Sequence, residues 1–169
     1  MCKKTRKWRI LCWKNIPEVI PPELMLALMQ MGHGDEIVIG DINFPSYTMS
    51  RRCVYTKGIK ATEILEAILT LMPLDVFVPD PVNVMTPGEL YKGTPPIWSD
   101  YDRIIRTNDF CGAYKEMKQM ERFEFYERAK NSFVTVQTSE DALYACMILK
   151  KGVIGEFSGK IKADKFPEK

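Results

Sequence analysis

The chain of 169 residues contains one histidine, and it stands between two glycines in Gly32-His33-Gly34-Asp35-Glu36. Imidazole, with an unperturbed pKa of about 6.5, is the side chain best suited to give and take protons near neutrality. The flanking glycines leave the ring unshielded by neighbouring side chains and free the backbone for a tight turn. That is what a general acid or base needs, and it is equally what an ordinary surface turn contains. A dinucleotide loop does not fit. Its Gly-x-Gly-x-x-Gly follows a strand and opens a helix, whereas this pair is followed by Ile37 and a strand pattern.

Other candidates are weaker when read singly. Asp41 falls at the carboxyl end of the run from Glu36 to Ile42, where α/β proteins place binding groups, although a loop-capping carboxylate would sit there too. Arg122-Phe123-Glu124-Phe125-Tyr126-Glu127-Arg128 by itself is a helix with a solvated charged face. Tyr144-Ala145-Cys146 by itself is the start of a strand, with Cys146 an inert buried thiol. No Gly-x-Ser-x-Gly is present, and a lone histidine would need carboxylates to complete a metal site. The five cysteines, Cys2, Cys12, Cys53, Cys111 and Cys146, are odd in number and widely spaced, with no Cys-x-x-Cys. They suggest neither a disulfide framework nor zinc, and they fit a reducing cytoplasm.

The elements that must position these residues can be read from periodicity. Pro21 and Pro22 suit a helix start, and Leu24, Leu28 and Met31 line one helical face until Gly32 stops it. The β-branched run that follows His33 predicts a largely buried strand. Cys53-Val54-Tyr55 predicts a second strand, and Ile64, Leu65, Ile68, Leu69 and Met72 a helix ended by Pro73. Val76–Val78 and Val82–Met85 are short strand candidates separated by prolines. Ser99 with Asp102 resembles a capping pair for a helix toward Asn108, and another helix is expected over Phe123–Lys130. Phe133–Val136 and Ala145–Leu149 read as the last strands. Strands alternating with helices predict an α/β fold, with a mainly parallel sheet covered on both faces.

One domain is the default at this length, since such a chain buries roughly 70% of its unfolded surface. A composition of 46% hydrophobic and 27% charged residues excludes a chain that stays disordered. The net charge of +2 is too mild for a nucleic-acid protein. Charges or prolines interrupt every apolar run well short of the ~20 residues that span a bilayer, so no membrane partner is expected. Residues 1–14 read as a basic arm, 15–153 as the domain and 154–169 as a polar tail.

Taken together, Glu23-Leu24-Met25, Met31-Gly32-His33-Gly34-Asp35-Glu36-Ile37, Asp41-Ile42-Asn43-Phe44-Pro45 and Arg122 through Ala129 resemble the fucose mutarotase family in order and spacing. The resemblance runs from about Ile20 to Val153. The related ribose pyranases share Gly-His-Gly-Asp but are less similar around Arg122 to Ala129. It implies a three-layer α/β/α, ribose pyranase-like fold, assembled as a homodecamer of two pentameric rings, with monosaccharide sites between neighbouring subunits and no cofactor or metal. It implies that His33 is the proton donor and that Asp41, Arg122 and Tyr144 bind the sugar. Cys146 stands where the family has asparagine, as Asn43 and Tyr47 stand where it often has histidine.

The implied activity is that of an isomerase acting on L-fucose. An acid protonates the ring oxygen, a base takes the anomeric proton, and the aldehyde recloses on its other face. On this reading Asp41 holds the imidazole or a sugar hydroxyl, while Arg122, Tyr144 and Cys146 meet the sugar. The alternatives are a pyranase for another sugar such as D-ribose, or a non-catalytic sugar-binding module. Cys146 discriminates the latter, since a thiol is a poorer hydrogen-bonding group than an amide. A weaker reading has the basic arm touch an anionic partner.

Overall fold

The computed structural model describes residues 15–154; the basic arm and all but the first residue of the polar tail lie outside the described residues, as do Cys2 and Cys12. The first helix, α1 (Pro22–Gln30), starts with proline in its first turn, where the missing N–H would have had no helical partner. Leu24, Ala27 and Leu28 form its buried stripe. After the His33 turn comes β1 (Glu36–Gly40), whose Ile37, Val38 and Ile39 are wholly buried, as a strand covered on both faces requires.

The remaining elements in chain order are β2 (Cys53–Tyr55), α2 (Ala61–Leu69), β3 (Val82–Met85), α3 (Ile97–Asn108), β4 (Lys118–Met120), α4 (Arg122–Asn131), β5 (Val134–Gln137) and β6 (Met147–Lys150). The strands form one sheet in the order β2-β5-β1-β6-β3-β4. The β2–β5, β5–β1 and β3–β4 pairs are parallel, and β6 runs antiparallel to both β1 and β3. Five strands therefore share one direction and β6 opposes them, so the sheet is mainly parallel.

Alternation along β1 separates two cores. Ile37 and Ile39 pack with the apolar faces of α1, α2 and α3, while Val38 packs with Phe44, Phe125 and Ala129 on the α4 side. The result is the expected three-layer α/β/α arrangement. Each wholly buried Leu, Ile or Phe contributes about 1.5–3 kcal/mol by leaving water, so the larger core beneath three helices is the main source of stability.

Two expectations need correction, and one strand was not expected. Val76–Val78 is not a strand: the chain turns there, and the Asp75 side chain accepts the Phe77 N–H at 3.0 Å in place of a ladder partner. Helix α3 begins at Ile97, before Ser99, with Pro96 at its N-cap, so the Ser99–Asp102 capping pair is not used. Strand β4 escaped the sequence reading because Lys118 and Gln119 are exposed at a sheet edge and carry no apolar alternation. No helix among the described residues is long and apolar enough to cross a membrane.

Candidate active site

The turn between α1 and β1 is tied on both sides of the histidine. Gly32 N–H donates to Asp35 Oδ2 at 2.7 Å, Gly34 N–H donates to the Lys151 carbonyl at 2.9 Å, and Gly34 has a φ of +83°, which a side chain would strain. His33 thus leaves the backbone with its side chain half exposed, at 49%. Its Nε2 lies 3.1 Å from Oδ1 of Asp75, a carboxylate only 3% exposed, and the ring meets Phe77 edge-on at 5.5 Å.

An ionised carboxylate only accepts, so Nε2 carries the hydrogen in this pair and Nδ1 is the nitrogen left to exchange protons. The arrangement is that of a base oriented by a buried acid. Asp75 was not nominated from the sequence, where it is one aspartate in a proline-bounded loop. It arrives through the backbone: Leu74 bridges Lys151, Asp75 N–H donates to the Lys150 carbonyl at 3.1 Å, and Gly152 N–H donates to the Pro73 carbonyl at 2.8 Å. A Cβ on Gly152 would stand 2.3 Å from the Leu74 oxygen, so only glycine permits that approach.

Next to the turn, Glu36 takes a bidentate bond from Arg128 (2.9 and 2.7 Å) and another from Lys150 at 2.9 Å. Burial pushes the Glu36 carboxyl up, but the two cations outweigh it and hold the group below the ordinary glutamate value.

Asp41 lies past the other end of β1. Its carboxylate is clamped from two sides, with the Asn43 N–H on Oδ1 at 2.9 Å and the Cys146 thiol on Oδ2 at 3.2 Å. Burial, and then the Asp41 charge, push the Cys146 thiol well up, so it stays protonated and donates. Cys146 therefore reaches Asp41 directly, and any part it has in sugar binding runs alongside that bond. Just before it, Tyr144 has a left-handed φ of +57°. The Tyr101 hydroxyl donates to the Ala145 carbonyl at 2.8 Å and Trp98 Nε1–H to the Tyr144 carbonyl at 2.9 Å, so α3 anchors this segment.

Arg122, exposed in the first turn of α4, donates through Nε to the Tyr126 hydroxyl at 3.2 Å and lies over that ring at 5.4 Å. Tyr126 meets Phe44 edge-on at 5.7 Å, and Phe44 N–H donates to the Asp41 carbonyl at 3.1 Å. Arg122 is thereby joined to the Asp41 rim through Tyr126, a phenol that periodicity could not single out from its charged neighbours.

The structure thus gathers Asp41, Tyr144 and Cys146 at the carboxyl end of β1, links Arg122 to them, and leaves His33 at the amino end. Asp41 does not hold the imidazole of its own chain; Asp75 does. The five-residue strand between them is about 17 Å long.

Residues 14–154 match the model of the RbsD / FucU transport protein family. The human protein named fucose mutarotase is 43% identical over 148 residues, covering 83% of this chain and 94% of that protein. Among solved structures, the fucose mutarotase of Streptococcus pneumoniae in complex with L-fucose aligns with a TM-score of 0.77 at 38% identity, covering 85% of this chain and 100% of that one. FucU from Bifidobacterium longum aligns with a TM-score of 0.79 at 42% identity, covering 84% of this chain and 100% of its own.

Proposed function

The chain belongs to the RbsD / FucU transport protein family, and from that premise we propose that it is an isomerase that interconverts the α and β anomers of L-fucose by opening and reclosing the sugar ring. The observation that carries this reading is the half-exposed imidazole of His33 held through Nε2 by the buried Asp75. Neither the ribose alternative nor a non-catalytic module is favoured, because the human relative at 43% identity and the Streptococcus pneumoniae structure at 38% are fucose mutarotases.

In the reaction, the His33 imidazolium donates its Nδ1 proton to the ring oxygen as the C1–O5 bond breaks. The anomeric hydroxyl gives up its proton as C1 becomes the aldehyde carbon. Rotation about C1–C2 presents the other face, and the same steps in reverse close the ring. Asp75 compensates the charge on the imidazolium and fixes its orientation. Solvent water takes the proton from the anomeric hydroxyl and returns one when the ring recloses, while Arg122 stays bonded through Nε to the Tyr126 hydroxyl. Asp41 accepts from sugar hydroxyls, and Arg122 and Tyr144 donate to them. A single positioned acid–base group supplies ~10² to 10⁴-fold, which suffices for a reaction that proceeds unaided in water.

A monosaccharide is much shorter than the strand that separates His33 from Asp41, so one sugar meets both groups only where two copies face each other. We therefore infer that each site combines the His33–Asp75 end of one subunit with the Asp41–Tyr144 rim of its neighbour, in a decamer of two pentameric rings. Cysteine usage supports a cytoplasmic location. Magnetization-exchange NMR between the α and β anomeric protons of L-fucose, with D-ribose as comparison, tests the activity. Exchange unchanged by added protein would overturn the reading.

A further inference from the structure

Tyr144 is a bulky residue in left-handed backbone, a conformation that persists only where the surroundings over-determine it. Three contacts hold it, and all come from the segment that joins β3 to α3 and its first helical turn. The Gly88 N–H donates to the Tyr144 hydroxyl at 3.0 Å, the Tyr91 ring meets the Tyr144 ring edge-on at 4.9 Å and 72°, and Trp98 Nε1–H donates to the Tyr144 carbonyl. A Cβ on Gly88 would stand 3.3 Å from the Tyr144 hydroxyl, and Gly88 is not in left-handed backbone, so alanine there alters space alone. Because β3 runs in the direction of β1, the loop that leaves its carboxyl end lies at the same end of the sheet as Asp41.

We propose that Gly88 and Tyr91 are positioning residues for Tyr144, with the loop between β3 and α3 forming the wall that sets how tightly the sugar is held. Gly88 occupies the acceptor side of the phenol, which leaves the phenolic proton to be donated to a sugar oxygen. Tyr91 keeps the ring from rotating away from that direction. Neither residue takes part in proton transfer, so both govern binding and leave the chemical step alone. The assignment rests on the mutarotase reading above.

The test is L-fucose anomer exchange over a concentration series for the wild type and for Tyr91→Ala, Tyr91→Phe, Gly88→Ala and Tyr144→Phe, with thermal unfolding followed in parallel. Loss of the ring contact is expected to raise KM about three- to tenfold in Tyr91→Ala, with kcat held within about twofold. Tyr91→Phe restores the wild-type KM, Gly88→Ala raises it, and Tyr91→Ala adds little to Tyr144→Phe because both act through one hydroxyl. Wild-type KM in both Tyr91→Ala and Gly88→Ala, or full additivity with Tyr144→Phe, would overturn the assignment. A wild-type protein that exchanges no anomers would instead remove the mutarotase reading itself.

Discussion

His33 and Asp75, 42 residues apart in sequence, meet at 3.1 Å, and the pair lies at the opposite end of β1 from Asp41. The first half of that relationship gives the imidazole its orienting acid. The second half puts the imidazole at one end of a five-residue strand and the Asp41 carboxylate at the other, which is the ground for proposing that each site draws on two subunits.

Removing the carrier should be severe. His33→Ala is expected to lower L-fucose exchange by roughly 10²- to 10⁴-fold with sugar binding kept. Asp75→Asn should lower it as well, since an amide can present either group to the ring and no longer fixes the tautomer. Exchange NMR together with anomeric line broadening separates turnover from binding. A His33→Ala protein that exchanges anomers at the wild-type rate would refute the assigned role.

The proposed sharing of each site between two subunits predicts an outcome that a self-contained site does not. His33→Ala and Asp41→Ala proteins, each inactive alone, are unfolded together and refolded as a mixture. About a quarter of the wild-type exchange should return, because some sites then draw an intact His33 and an intact Asp41 from different copies. If the mixture stays as inactive as its parents, each chain carries its own complete site.

The Cys146 thiol is buried, protonated and bonded to Asp41. It should therefore resist alkylation by iodoacetamide in the folded protein and react once the protein is unfolded. Cys146→Ser keeps a donor to Asp41 and should retain activity, whereas Cys146→Ala frees the carboxylate and should raise KM several-fold, roughly the worth of one ordinary hydrogen bond, since a thiol is a weak donor. Equal KM values for the two variants would show that the donor is irrelevant.

Glu36 contributes to acid sensitivity. Arg128 and Lys150 outweigh burial and hold its folded-state pKa below the unfolded value of about 4.3. Its stabilisation is thus fully present above that value and is lost as pH falls through the folded pKa. Glu36→Gln should be less stable than wild type by about 1–3 kcal/mol at pH 7, and the gap should close in acid. Denaturant unfolding at several pH values measures it, and a gap independent of pH would contradict the ion cluster's role.

Much of the scaffold was legible because local chemistry controls it. Leu24 and Leu28 at helical spacing behind Pro22, and Ile37-Val38-Ile39 as a two-sided buried strand, follow from periodicity and proline stereochemistry. Strand β4 was not, because an exposed edge strand of Lys118 and Gln119 has no apolar face to read. Val76–Val78 looked like a strand by composition, yet the Asp75 carboxylate captures the Phe77 N–H and turns the chain.

The same division runs through the site. Sequence alone determined that His33 would be presented on a glycine-flanked turn ahead of a buried strand, and that Asp41 would end that strand, because both depend on neighbours within a few residues. Only the tertiary structure decided that Asp75 partners His33, that Cys146 partners Asp41 and that Tyr126 links Arg122 to the rim. Those contacts depend on sheet order, which places β6 against β1 and brings distant segments to each strand end. A strand of five residues is rigid and long compared with any hydrogen bond, so which end a group occupies decides what it can touch.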